Sequence, residues 1–205
     1  MERARDAGRR LAERHLANPA SAEPAGSLVN YAELRRADDW TLRSALVRLA
    51  QSQPELVAAL MIRVRRLDTA LAAVARPLQQ HTVVCDRSIT IDDVERDPID
   101  AYPDSRVADL VRVAASADED GHAVVEAYLT TADLTEPERA ALPLLEIALA
   151  FDRLAEELVA WARIAPAPAP VESVRATIRT TQQRLDELGV PVEQPRSGRR
   201  TRRSG

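Results

Sequence analysis

From Val57 to Leu78 the apolar residues fall at Val57, Leu60, Val64, Leu67, Leu71, Val74 and Leu78, in alternating steps of 3 and 4. That spacing holds one stripe on one side of an α-helix for about three heptads. Ser52 as N-cap, Pro54 in the first turn and Glu55 beside it predict the start of this helix, and Pro77 marks its end. The same rhythm returns at Leu144, Ile147, Phe151, Leu154, Leu158 and Trp161. Thr135 and Glu138 predict a capping box for that helix, with Pro137 in its first turn, and Pro143 predicts a kink or a restart. A third stripe runs through Val171, Val174, Ile178, Thr181, Leu185 and Leu188, with Gly189 as the C-cap and Pro191 as the stop.

Shorter elements fill the rest. Residues 1–17 read as a charged helix anchored weakly by Leu11 and Leu16, followed by a loop to Gly26. Residues from Trp40 to about Gln51 read as a helix capped by Asp38 or Asp39, with Leu42, Leu46 and Leu49 on one side. The β-branched runs in HTVVCDRSITIDDV, on either side of Asp86-Arg87-Ser88, predict a short β-hairpin near 82–94. Residues 95–105 read as a loop, then Asp104 or Ser105 caps a helix to about Ser116. Asp118 to Gly121 reads as a turn and His122 to Thr130 as a further helix.

The fold class is therefore mainly α: a helical bundle with heptad-striped long helices and a minor β-hairpin. The chain divides into a charged helix and loop (1–26), a helical core with a short β element (27–163), an Ala-Pro linker (164–170), a C-terminal helix (171–191) and an Arg-rich, disordered tail (192–205). A stripe of about two residues in seven is narrow for a globular core and natural for a coiled-coil seam. The stripes bury against one another or against a second copy. Val57, Leu60, Val64, Leu67, Leu71, Val174, Ile178 and Leu185 are accordingly the candidate association residues.

Composition narrows the chemistry. All 28 basic residues are arginine. The absence of lysine removes every mechanism that needs an ammonium, from Schiff bases to the phosphate-gripping lysine of a kinase. One cysteine, Cys85, excludes an internal disulfide framework and a cysteine-rich zinc site. No apolar run reaches the length of about 18 residues needed to span a bilayer, and the N-terminus has no secretory core, so the expected location is the bacterial cytoplasm.

Net charge of −4 conceals a pattern: residues 1–85 carry 13 arginines and 9 acids, and residues 86–157 carry 6 and 19. An acidic middle between basic ends favours contact between segments or self-association over broad nucleic-acid binding. The tail arginines Arg196, Arg199, Arg200, Arg202 and Arg203 can meet phosphates or an acidic protein surface, but no aromatic is interleaved with them for base stacking.

Two clusters invite chemistry. His81 and Cys85 would share one face of a strand, with Asp86 adjacent, as a thiolate–imidazole pair, as two metal ligands or as a half-buried strand pair. Asp92 and Asp93 head the densest acidic run, which continues through Glu95, Asp97 and Asp100 and has the hard oxygens that Mg²⁺ takes. The chain has no CxxC, HExxH, G-x-S-x-G, GxGxxG or P-loop motif.

Residues 83–163 resemble the C-terminal lobe of aminoglycoside-phosphotransferase-like small-molecule kinases. The residues that carry the likeness are Ile91-Asp92-Asp93, the run Asp104-Ser105-Arg106-Val107-Ala108-Asp109-Leu110, Glu126-Ala127-Tyr128-Leu129, and the helix start from Leu134 to Arg139. The resemblance implies that Asp92 or Asp93 holds Mg²⁺. The chain departs from the family at the His-Gly-Asp catalytic loop, its following Asn and the small-lobe lysine, none of which it contains. The resemblance therefore implies a decayed or truncated lobe, with nucleotide or Mg²⁺ binding at most.

The leading expectation is a non-catalytic helical protein that acts by protein–protein association, as a homo-oligomer, adaptor or regulatory subunit, with no cofactor. The phosphotransferase-like protein is the alternative. Weak nucleic-acid association through the arginine tail is the third.

Overall fold

The computed structural model describes residues 1–18, 40–78, 82–86, 88–99, 101–164 and 167–191. The elements run α1 (Glu2–Ala17), α2 (Trp40–Ser52), α3 (Pro54–Leu78), β1 (Thr82–Asp86), β2 (Ala101–Ser105), α4 (Arg106–Ser116), α5 (Gly121–Thr131), α6 (Glu136–Arg163) and α7 (Val171–Glu187). The fold is mainly α with one small two-stranded sheet. No helix among the described residues is long and apolar enough to cross a membrane.

The three long stripes bury against one another inside the chain. Leu60, Val64, Leu67 and Leu71 of α3 are fully buried, together with Leu42, Ala45 and Leu49 of α2, Phe151, Leu154 and Leu158 of α6, and Val174 and Leu185 of α7. Val57 and Ile178 are half-buried against the same core. α7, beyond the Ala-Pro stretch, thus shares the core of α3 and α6.

Four expectations are corrected. Ser52 does not cap α3: α2 runs through it, its hydroxyl donates to the Leu49 carbonyl, and Gln53 alone separates the two helices. The hairpin does not close at Asp86-Arg87-Ser88. β1 pairs antiparallel with β2, from Thr82↔Ser105 to Asp86↔Ala101, and Ile91 to Glu95 form turns. The expected loop 95–105 therefore contains a strand, and Pro103 is tolerated because a two-stranded sheet consists of edges. Pro143 does not divide α6, which runs unbroken from Glu136 to Arg163. Burial of Ala141, Leu144 and Leu145 around it offsets the missing backbone hydrogen bond.

Two helix ends match their sequence signals. Ser105 caps α4, its side chain accepting from the Val107 N–H. At α7, Gly189 takes φ +65°, Val190 N–H reaches Leu185 O and Gly189 N–H reaches Asp186 O, a Schellman ending.

α1 seats on α5 and α4 through small residues: Ala4, Ala7, Gly8 and Ala12 are buried, with Leu11 the one large apolar side chain among them. A Cβ at Gly8 would lie 2.2 Å from the Val124 carbonyl oxygen, so the two backbones cross in contact.

Candidate functional site

One cluster of buried polar side chains gathers under α1. His15 lies four residues beyond Leu11 on the buried side of that helix. Its Nδ1 is 2.9 Å from the Tyr128 hydroxyl of α5 and its Nε2 is 3.4 Å from Asp109 Oδ2 of α4. The rings of His15 and Tyr128 meet edge to face with centroids 5.8 Å apart. Asp109 Oδ1 accepts the Asp86 backbone N–H at 3.1 Å and lies 3.7 Å from Arg112. One buried carboxylate thus joins α1, α4 and the end of β1.

Burial pushes the Tyr128 phenol well above its ordinary range, against the pull of the Arg106 charge, so the hydroxyl keeps its proton. His15 thus bridges α5 and α4 through its two ring nitrogens. Beside them Arg106 makes a two-point ion pair with Glu138 at 2.7 and 2.8 Å. Glu138 also accepts the backbone N–H and the hydroxyl of Thr135, completing the α6 start that the sequence predicted. Burial works to raise the Glu138 pKa, but the Arg106 and Thr135 hydrogen bonds together outweigh it and hold the carboxyl below its usual value.

Cys85 lies fully buried on β1, its thiol 3.5 Å from the Ser105 carbonyl oxygen. Burial, then the negative charges of Asp109 and Asp104, raise its pKa well above that of a free thiol. A nucleophile needs the opposite, a lowered pKa and access. His81, its expected partner, lies outside the described residues. Asp86 is an organiser of loop 88–99: its carboxylate accepts the N–H and hydroxyl of Ser88 and the N–H of Ile99.

The acidic run forms the rim over which α1 lies. Asp92 pairs with Arg3 and Glu95 with Arg10. Arg14 reaches toward the carbonyls of Val94 and Arg96, and the N-terminal ammonium pairs with Asp120. Asp93 accepts from Thr90 at 2.6 Å and pairs with Arg96 at 2.6 Å. Both candidate Mg²⁺ carboxylates are thus engaged by arginine. Among the described residues, no three His, Cys, Asp or Glu side chains gather in a group that could hold a metal ion. The contrast of basic N-terminus and acidic middle is expressed as contact between segments of one chain.

The candidate association residues are placed less favourably for a partner. Leu60, Val64, Leu67, Leu71, Val174 and Leu185 are buried inside the chain, and Val57 and Ile178 are half-buried. Arg196, Arg199, Arg200, Arg202 and Arg203 lie outside the described residues. The outer side of α2 is a different matter. Trp40 is 75% exposed and Val47, two turns along the same side, is 56% exposed, with exposed Arg43 between them.

Sequence reasoning missed His15, Asp109 and Tyr128 as a group, because their separations of 94 and 113 residues leave no local pattern. The available signal was a histidine in phase with Ala4, Ala7, Leu11 and Ala12 on the apolar side of α1. No protein-family model, curated protein or solved structure matches this chain.

Proposed function

We propose that this chain acts by protein–protein association rather than by catalysis, and that its first partner is a second copy of itself. The observation that carries this reading is the outer side of α2, where Trp40 and Val47 stand in solvent around Arg43. Tryptophan and arginine are the residue types that most often dominate interface energies when they become buried. The enclosed polar cluster supports the same reading from the other side. His15, Tyr128, Asp109 and Cys85 are buried, none of them lines a described cleft, and the thiol is held protonated.

The test is sedimentation of the full chain over a concentration series into the high micromolar range. The mass is expected to rise from 22.5 kDa toward twice that value. Trp40→Ala and Val47→Asp are expected to move the rise to at least tenfold higher concentration. A wild-type chain that stays monomeric throughout overturns the reading.

A further inference from the structure

We infer that the cleft where α4, α5, α6 and α7 meet is a binding site for a small anionic amphiphile, a single carboxylate carried on an apolar tail. The cleft shares no residue with the outer side of α2 or with the buried His15 cluster, and the inference rests on neither.

The cleft has the build of a ligand site. Its volume is 460 Å³, within the usual range of small-molecule pockets. Its floor is apolar: Val111 is buried, while Val125 and Leu149 are half-buried and pack against the core. Ala115 and Ala150 on its walls are too short to fill it. Backbone forms one end. A Cβ at Gly121 would lie 2.5 Å from the Ala114 carbonyl oxygen, so the start of α5 rests directly on the end of α4.

The charged groups of the cleft leave one cation over. Arg184 of α7 pairs with Glu146 of α6, which cancels both charges. His122 is 81% exposed and faces Glu126 at 3.5 Å. Arg153 has no acidic partner among the described residues. Its Nη2 donates to the Ala115 carbonyl at 3.0 Å, which fixes the guanidinium at the end of α4 and leaves its other N–H groups for a ligand.

That combination selects the occupant. An inorganic anion would leave the apolar floor in water, and a neutral apolar molecule would leave the Arg153 donors unused. A dianion would bring a second negative charge beside Glu146. One carboxylate matches the guanidinium fork, and its tail covers Val111, Val125 and Leu149. Because Arg184 belongs to α7 and the floor to α4, α5 and α6, the occupant also ties the C-terminal helix to the rest of the core.

The experiment titrates the full chain with sodium decanoate, with decanol and sodium acetate as comparisons, by calorimetry and by amide NMR. Decanoate at millimolar concentration is expected to bind, to raise the melting temperature and to shift the amides of Ala115, Gly121, Val125 and Ala150. Decanol and acetate are each expected to bind roughly tenfold more weakly or not at all, because each lacks one half of the recognition. Arg153→Gln alters an exposed side chain and is expected to weaken decanoate roughly tenfold while leaving decanol unchanged. Ala150→Phe fills the cleft and is expected to abolish binding of both.

No binding at millimolar decanoate overturns the site. Acetate that binds as well as decanoate reduces the cleft to an adventitious ion contact, and decanol that binds as well removes the role of Arg153; either result overturns the assignment. So do decanoate shifts that centre on Trp40 and Val47, since that ligand sits on the α2 surface.

Discussion

Arg106 and Glu138, 32 residues apart, meet side on at 2.7 and 2.8 Å and join the start of α4 to the start of α6. Glu138 is 1% exposed and serves two masters: it completes the capping box with Thr135 and neutralises the guanidinium. Removing one partner leaves the other charge poorly solvated. Glu138→Ala is therefore expected to cost about 3–5 kcal/mol, measured by urea unfolding. The pH dependence has a definite sign. The folded-state pKa is lowered, so the stabilisation is complete above the unfolded value of about 4.3 and fades as the pH falls through the folded value. The stability gap between wild type and Glu138→Gln is expected to narrow below about pH 4. A gap that widens on acidification would contradict this assignment.

The same pair shows what the sequence could and could not disclose. Thr135 and Glu138 were legible because a capping box is a three-residue spacing, and Asp104 or Ser105 was legible as a cap because each is a capping residue type just ahead of the helix. Arg106 as the partner of Glu138 was not, because nothing local connects residues 32 apart. The long stripes were legible from their period, but the period does not say whether a stripe faces its own chain or another. Here it faces inward. β2 was hidden because Ala101-Tyr102-Pro103 reads as a loop, and its strand character comes from pairing with Thr82–Asp86 across a long connection. Of the site, the acidic rim was visible as composition, while the His15–Asp109–Tyr128 contacts exist only in three dimensions.

Gly8 offers a test of the α1 crossing in which two effects oppose each other. Alanine in place of a mid-helix glycine usually gains about 1 kcal/mol from helix propensity. At Gly8 the added Cβ would sit 2.2 Å from the Val124 carbonyl oxygen, a backbone atom that cannot rotate away. The clash is expected to win, with Gly8→Ala destabilising by about 1–3 kcal/mol in denaturant titration. Gly8→Leu is expected to displace α1 altogether and to abolish protection of its amides from hydrogen exchange. Gly8→Ala with wild-type or higher stability would show that the helices do not cross in contact.

Cys85 is expected to be chemically silent in the folded chain. Its thiol is fully buried, and burial together with Asp109 and Asp104 keeps it protonated. A thiol-reactive dye at pH 8 is expected to label it only as fast as the chain opens, and at the rate of a free cysteine in denaturant. Labelling that is rapid under native conditions would mean an accessible thiolate and would reopen a nucleophilic role.

Arg66 carries the least obvious energetic argument. Its side chain is 3% exposed, and Nη2 donates to Asp186 at 2.8 Å and to the Val190 carbonyl, which ties the Schellman end of α7 to α3. The contacts look stabilising, yet Nε and Nη1 are buried without a hydrogen-bond partner among the described residues. Each unmet donor costs about 1–3 kcal/mol. The attraction that should offset this is weak, because Asp186 is 54% exposed and its charge is screened. Methionine keeps most of the packed stem and buries no donor. Arg66→Met is thus expected to fall within about 1 kcal/mol of wild type or to exceed it, whereas Arg66→Ala loses the packed stem as well and is expected to cost about 2 kcal/mol or more. The Asp186 carboxyl, held low first by Gln182 and then by Arg66, is expected to titrate closer to an ordinary aspartate in the methionine variant, a shift that NMR resolves. If Arg66→Met instead loses as much stability as Arg66→Ala, the two hydrogen bonds to the end of α7 outweigh the unmet donors, and the guanidinium is a net support of the fold.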